Sequence, residues 1–159
     1  MAKLFPCLWF NGDAEKAADF YVTLLPHSHV DKVWRSPAET PAGPAGMVLT
    51  VDFTLAGQPL QGLNGGPDFP FTEAVSFVID CEDQTEVDRL WDALTANGGV
   101  PGPCGWLKDR FGLSWQIVPR RLEQLLNDAD PERARRAMEA MLQMGKLEVA
   151  ELERAAEAT

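Results

Sequence analysis

The segments DAEKAADFYVTL (13–24) and DQTEVDRLWDAL (83–94) repeat one pattern. A shift of 70 residues carries Asp13 onto Asp83, Ala17 onto Val87, Phe20 onto Leu90, Tyr21 onto Trp91 and Leu24 onto Leu94. Apolar residues at such spacings lie on one face of a helix. The leading aspartate suits an N-cap, and acid in the first turn complements the helix dipole. The shift extends into the strand before each helix, since Phe5 falls on Val75 and Leu8 on Val78. A repeat of strand, cap and helix together predicts a duplicated module, which fixes the architecture before any other detail.

The rest of each copy reads outward from this unit. Residues 3–10 form an aromatic and aliphatic strand, and Asn11-Gly12-Asp13 breaks it. Pro26 is expected to stop the first helix. A strand over 29–34 follows, then a loop over 36–46 rich in proline and glycine. Residues 47–55 and 58–63 give two more strands, with Pro59 at the tolerant start of the second. Asn64-Gly65-Gly66-Pro67 closes the first copy. The pattern restarts with a strand over 74–80, and Asn97-Gly98-Gly99 supplies C-cap chemistry after the second helix. Strands over about 104–108 and 113–118 are joined by a turn at Asp109-Arg110-Phe111-Gly112, where Gly112 can take positive φ. Residues 120–159 read as helices. Leu122, Leu125 and Leu126 mark the first, and Asp130-Pro131-Glu132 starts the second. The second carries a stripe of Ala134, Met138, Met141 and Leu142 and is expected to end at Gly145. A final acidic helix runs from about Leu147, and the tail is expected to cover a sheet edge or a partner subunit.

Composition narrows the function classes. The 159 residues carry a formal net charge of −10, with a pI near 4.6. Nucleic-acid binding needs clustered Lys and Arg, so it is disfavoured. Hydrophobic residues make up 45% of the chain, enough for a core, yet no apolar run approaches a membrane span. The first residues lack the apolar stretch of an export signal. Three cysteines, Cys7, Cys81 and Cys104, without a CxxC pair suit reduced thiols, and the expected location is cytoplasmic.

The run CGWLKDRFGLSWQIVP (104–119) resembles the PhnB-like branch of the glyoxalase / bleomycin-resistance / dioxygenase superfamily, a branch also described as demethylubiquinone methyltransferase-like. PCLWF (6–10) with Phe20-Tyr21, LNGGP (63–67), EVDRLW (86–91) and the tail's Ala137-Met138 and Ala140-Met141 before Lys146-Leu147 are similar to the same group. The resemblance covers nearly the whole chain. It implies an α+β fold with two βαβββ modules in 1–119, about 1–67 and 72–119, forming a curled mixed sheet around a cleft. The helical extension is 120–159. It also implies a small-molecule ligand and a homodimer. Fold alone does not fix the chemistry. Methyl transfer from S-adenosylmethionine is disfavoured by the residues, since no GxGxxG-like turn follows a strand and opens a helix.

Enzymes of this superfamily commonly hold a divalent metal with His and Glu or Gln side chains. The corresponding positions fall near Pro6, within Gln61 to Asn64, near Ala74 beside Glu73, and at Gln116. The usual ligands are not evident there, and no metal ligand, catalytic residue or cofactor is assigned. His27 and His29, with Asp31, read either as a metal-binding trio on one strand face or as an exposed strand start. The second is the simpler reading. Cys104 near Lys108 reads either as an activated thiol or as a structural one. Lys108 and Asp109 read as turn and surface charges, and Trp9, Trp106 and Trp115 as packing. The ligand-binding residues expected from strand parity are Leu8, Phe10, Gln61, Asn64, Ser114 and Gln116. Three functions remain open: a metal-free ligand-binding or sequestering protein, a metal-dependent lyase, isomerase or dioxygenase with atypical ligands, and a non-catalytic partner-binding module using the Met-rich tail.

Overall fold

A computed structural model describes residues 2–158 and divides the chain into two compact units, 1–71 and 72–159. In the first, β1 (Cys7–Phe10), α1 (Ala14–Tyr21), β2 (His29–Arg35), β3 (Val48–Leu55) and β4 (Gln58–Asn64) build a four-stranded sheet ordered β1-β4-β3-β2. β1 runs parallel to β4, and the remaining pairs are antiparallel. In the second, β5 (Ser76–Cys81), α2 (Gln84–Thr95), β6 (Val100–Pro101), β7 (Trp106–Lys108) and β8 (Ser114–Pro119) repeat the arrangement, ordered β5-β8-β7-β6 with β5 parallel to β8. The fold is α+β, with two βαβββ modules. Among the described residues no helix is long and apolar enough to cross a membrane.

In each unit the helix covers one sheet face. Leu8, Phe10, Val51, Phe53, Leu55 and Leu60 are buried with Ala17, Ala18 and Tyr21 of α1. Ile79, Cys81, Leu107, Trp115 and Ile117 are buried with Val87, Leu90, Trp91 and Leu94 of α2. The helices correspond at the expected step of 70 residues, but the strands do not: inward-facing Leu8 and Phe10 correspond to Ile79 and Cys81, a step of 71. Val78, the expected counterpart of Leu8, is exposed. The reason is the connection to the helix, Asn11-Gly12-Asp13 in the first unit against Glu82-Asp83 in the second. One residue fewer there turns the strand over relative to the helix.

Other boundaries differ for local reasons. α1 ends at Tyr21, before Pro26, through bonds from the Val22, Thr23 and Leu24 N–H groups. Asp13 sits at its N-cap but makes no capping side-chain bond. Asn64 Oδ1 instead accepts from Ala14 N at 2.9 Å. Asp83 does cap α2, accepting from Glu86 N at 2.9 Å. β7 starts two residues later than expected because Cys104 and Gly105 take φ of 58° and 84°. Their N–H groups donate to Met144 and Gly145 carbonyls, each at 2.8 Å.

The tail forms α3 (Arg120–Leu126), α4 (Pro131–Met141) and α5 (Val149–Glu157). α4 ends at Met141, short of Gly145. The three helices share a core of Leu122, Leu125, Ala137, Leu147, Leu152 and Ala156, with Val118 of β8 packed against it. Arg136 caps the end of α5, its Nη2 donating to Ala156 O at 2.8 Å. Gln84 ties the tail to α2: its Nε2 donates to Leu147 O at 3.0 Å, and its Oε1 accepts from Val149 N at 2.7 Å. The helices therefore belong to the second compact unit.

Asp109 is not the surface charge its turn suggested, being 2% exposed. Its Oδ1 accepts from Phe111 N at 2.8 Å and Leu113 N at 3.1 Å, and its Oδ2 from Trp115 Nε1 at 2.8 Å. Gly112, at φ 89°, lets the chain double back around this carboxylate. Asp109→Ala should therefore cost about 3 kcal/mol, read as a lower urea midpoint at unchanged slope. A second prediction concerns Cys81. Burial, then the charges of Glu86 and Asp80, push its thiol from 9.0 up to about 12. The folded state keeps this proton while the unfolded state loses it, so this contribution is fully present below pH 9.0 and lost as pH rises toward 12. Cys81→Ala should remove that part of the alkaline slope of stability, measured by denaturation at a series of pH values.

Candidate functional site

Each sheet has one face turned away from the helix of its own module, reached in the second unit only at its Val118 end by the tail helices, and period-two alternation decides which side chains lie on it. On the first sheet the strand register aligns Cys7, Gln61, Asp52 and Lys32 in one row, and Trp9, Leu63, Thr50 and Trp34 in the next. On the second it aligns Val78, Gln116 and Trp106, and beside them Ser76, Ser114 and Lys108. With the strand step of 71, Cys7 corresponds to Val78, so their partners Gln61 and Gln116 occupy the same place in the two modules.

These glutamines are held by different neighbours. Gln61 Nε2 donates to Asp52 Oδ1 at 2.9 Å, and Trp34 Nε1 donates to Asp52 Oδ2 at 3.0 Å. Partial burial, then the Asp52 charge, raises the Cys7 thiol above its ordinary value, although part of that residue reaches solvent. Gln116 Nε2 donates to Ser76 Oγ at 3.0 Å. Ser114 is fully buried, and its hydroxyl finds no hydrogen-bond partner among the described residues. Lys108 pairs with Glu73, and its hydrogen bond, ahead of its charge, holds the Glu73 carboxyl below the usual range.

The six expected ligand-binding residues divide between the two sheets and, within the first, between its two faces. Gln61 lies on the face of the first sheet turned away from α1, and Ser114 and Gln116 lie on the face of the second turned away from α2. Leu8 and Phe10, 5% and 3% exposed, point the other way, into the core under α1. Parity assigns Cys7 and Trp9 to the free face in their place. Asn64 also faces the helix side. Besides accepting from Ala14 N, it donates from Nδ2 to Val48 O at 2.9 Å, and it lines a pocket of about 390 Å³ beside the start of α1.

Two features escaped the reading of the sequence. A pocket of about 430 Å³ in the first unit is lined by Phe5, Asp31, Lys32, Trp34, Asp52, Thr54 and neighbouring residues. The alternation of Thr50, Asp52 and Thr54 with Val51, Phe53 and Leu55 was the available signal for it. The second feature is β6, too short for any periodicity. His27 does not join His29 and Asp31, because it lies in the preceding turn with φ 57°. His29 Nε2 lies 2.8 Å from Asp31 Oδ1 at the sheet edge.

A divalent cation needs several carboxylate, imidazole or thiolate donors converging on one point. Among the described residues no group of three or more His, Cys, Asp or Glu side chains could hold one. The two equivalent glutamines offer neutral amides, and both oxygens of Asp52 already accept N–H donors.

The sequence profile of 3-demethylubiquinone-9 3-methyltransferase matches residues 2–118. The chain belongs to that family, the PhnB-like branch of the glyoxalase / bleomycin-resistance superfamily. A PhnB protein of Bacillus cereus is 31% identical over 74% of this chain and 99% of its own, with a TM-score of 0.64. Protein PA1353 of Pseudomonas aeruginosa shares the fold at 20% identity over 75% of this chain and 98% of its own, with a TM-score of 0.60. None of the curated proteins matches.

The parity finding predicts that two neighbouring amides behave differently. Asn64→Ala should lower stability by about 2 kcal/mol, since it strands a buried N–H and a carbonyl. Gln61→Ala should change stability by less than about 0.5 kcal/mol. Paired urea titrations of the two variants check both values.

Proposed function

We propose that this PhnB-like protein binds small organic molecules without a metal, on the sheet faces that carry Gln61 in one unit and Gln116 in the other. The observation that carries the reading is the pair of equivalent glutamines, Gln61 and Gln116. Each is turned to a free face and held by a polar neighbour, with no converging metal donors beside it. Amides, hydroxyls and the Trp9 and Trp106 rings are groups that orient an uncharged or weakly polar framework, and aromatic walls supply most of its contact area. The family's methyltransferase description is not extended to this chain, because no glycine-rich turn leads from a strand into a helix. A homodimer in the cytoplasm is part of the proposal, the three free thiols favouring a reducing compartment.

Purified untagged protein should contain no stoichiometric metal, and calorimetric titration with Mn²⁺, Fe²⁺, Ni²⁺ and Zn²⁺ should show no tight site. A thermal-shift screen of small organic compounds should give ligands whose binding Gln116→Ala weakens, with the melting temperature of the free protein nearly unchanged. Tight one-to-one metal binding would overturn the proposal in favour of a metal-dependent enzyme. A large fall in melting temperature with unaltered binding would make Gln116 a structural residue.

A further inference from the structure

We infer that the 430 Å³ pocket of the first unit takes an alkylated ammonium ion, and that Lys32 occupies the cation's place until the ligand arrives. The inference rests on the reading that the sheet faces carrying Gln61 and Gln116 bind small molecules, and it names a ligand class for one of them. Four observations lead to it. The Lys32 ammonium sits 3.6 Å from the centroid of the Trp34 ring, so a cation is already stable on that ring face. The ring cannot swing away freely, because its Nε1 is tied to Asp52 and Asp52 is tied to Gln61. Two carboxylates, Asp31 and Asp52, line the pocket against the single ammonium of Lys32, leaving it net negative. Its volume lies in the range of small-molecule sites.

The hydrogen bonding narrows the class further. Asp52 Oδ1 and Oδ2 accept from Gln61 and Trp34, while Thr54 Oγ1 donates to Asp31 Oδ2 at 2.8 Å and His29 lies against Asp31 Oδ1. Three of the four carboxylate oxygens accept a hydrogen bond from the protein, and His29 lies against the fourth. What the pocket offers a ligand is therefore charge and a ring face more than vacant acceptors. A primary ammonium carries three N–H donors that need acceptors, whereas a trimethylated one needs only field and apolar contact. Lys32 is tethered to an exposed edge strand, so an alkylated cation entering the pocket displaces its head group into water.

Choline and its uncharged isostere 3,3-dimethyl-1-butanol discriminate this chemistry when each is titrated calorimetrically into the whole protein. Choline should bind saturably and the isostere should give no heat of binding. Lys32→Ala should tighten choline binding about threefold by removing the internal competitor. Trp34→Leu, at a partly exposed position on the edge strand, should abolish binding while thermal unfolding stays cooperative. Equal responses to choline and the isostere, weaker choline binding in Lys32→Ala, or binding indifferent to Trp34→Leu would each overturn the inference. If the thermal-shift screen finds only neutral or anionic ligands dependent on Gln116, this inference fails and the broader reading stands. If no compound of any class binds, both fail.

Discussion

In both units the first and last strands of the module lie side by side and parallel, β1 with β4 and β5 with β8. A parallel pair cannot be closed by a tight turn, so the intervening chain has to leave the sheet and return. It does so through one helix and an antiparallel pair of strands. The helix takes one face of the sheet and leaves the other, which in the second unit the tail helices reach at Val118. Every later question about function becomes a question of parity along four strands. A residue on one side is core, and its neighbour in sequence is a candidate for contact with a ligand.

That dependence explains what could be read from the sequence and what could not. The helices were legible because Ala17, Tyr21 and Leu24, and Val87, Trp91 and Leu94, repeat at a spacing no strand would show. The turn at Asp109 to Gly112 was legible from its residue types. The facing of β1 was not, because Leu8, Phe10, Cys7 and Trp9 are all apolar enough for either side. Burial alone distinguishes them. Asn64 and Gln61 look alike as side chains three residues apart, yet the odd spacing puts them on opposite faces and gives one of them the capping work that Asp13 leaves undone. Asp109 was misread for a related reason: nothing local records that Trp115, six residues on, brings its indole N–H to the carboxylate. Asp52 went unnoticed although its alternation with Val51 and Phe53 is clear, because no expected ligand position fell on β3.

The two units differ most on the faces turned away from α1 and α2. Core positions keep their apolar character, and the glutamine next to the first strand is kept in both. The neighbours are exchanged: Asp52 beside Gln61 corresponds to Trp106 beside Gln116, and the bonding partner changes from a carboxylate to the Ser76 hydroxyl. One free face thus carries an acid and a fixed indole, and the other carries hydroxyls and an amide. Duplicated geometry with unlike chemistry gives one chain two different surfaces from one architectural plan.

The attachment of the tail bears on how the protein is made. The first unit has its complete strand order within residues 1–71. The second depends on main-chain bonds from Cys104 and Gly105 to Met144 and Gly145, and on Gln84 reaching Leu147 and Val149. A chain emerging from the ribosome N-terminus first can close its first half early. The second half must wait until the tail helices have been made, with Val118 and the apolar faces of three helices uncovered until then. Premature termination anywhere in the last helices would therefore release a chain with one finished half and one adhesive half, a natural target for chaperones and proteases.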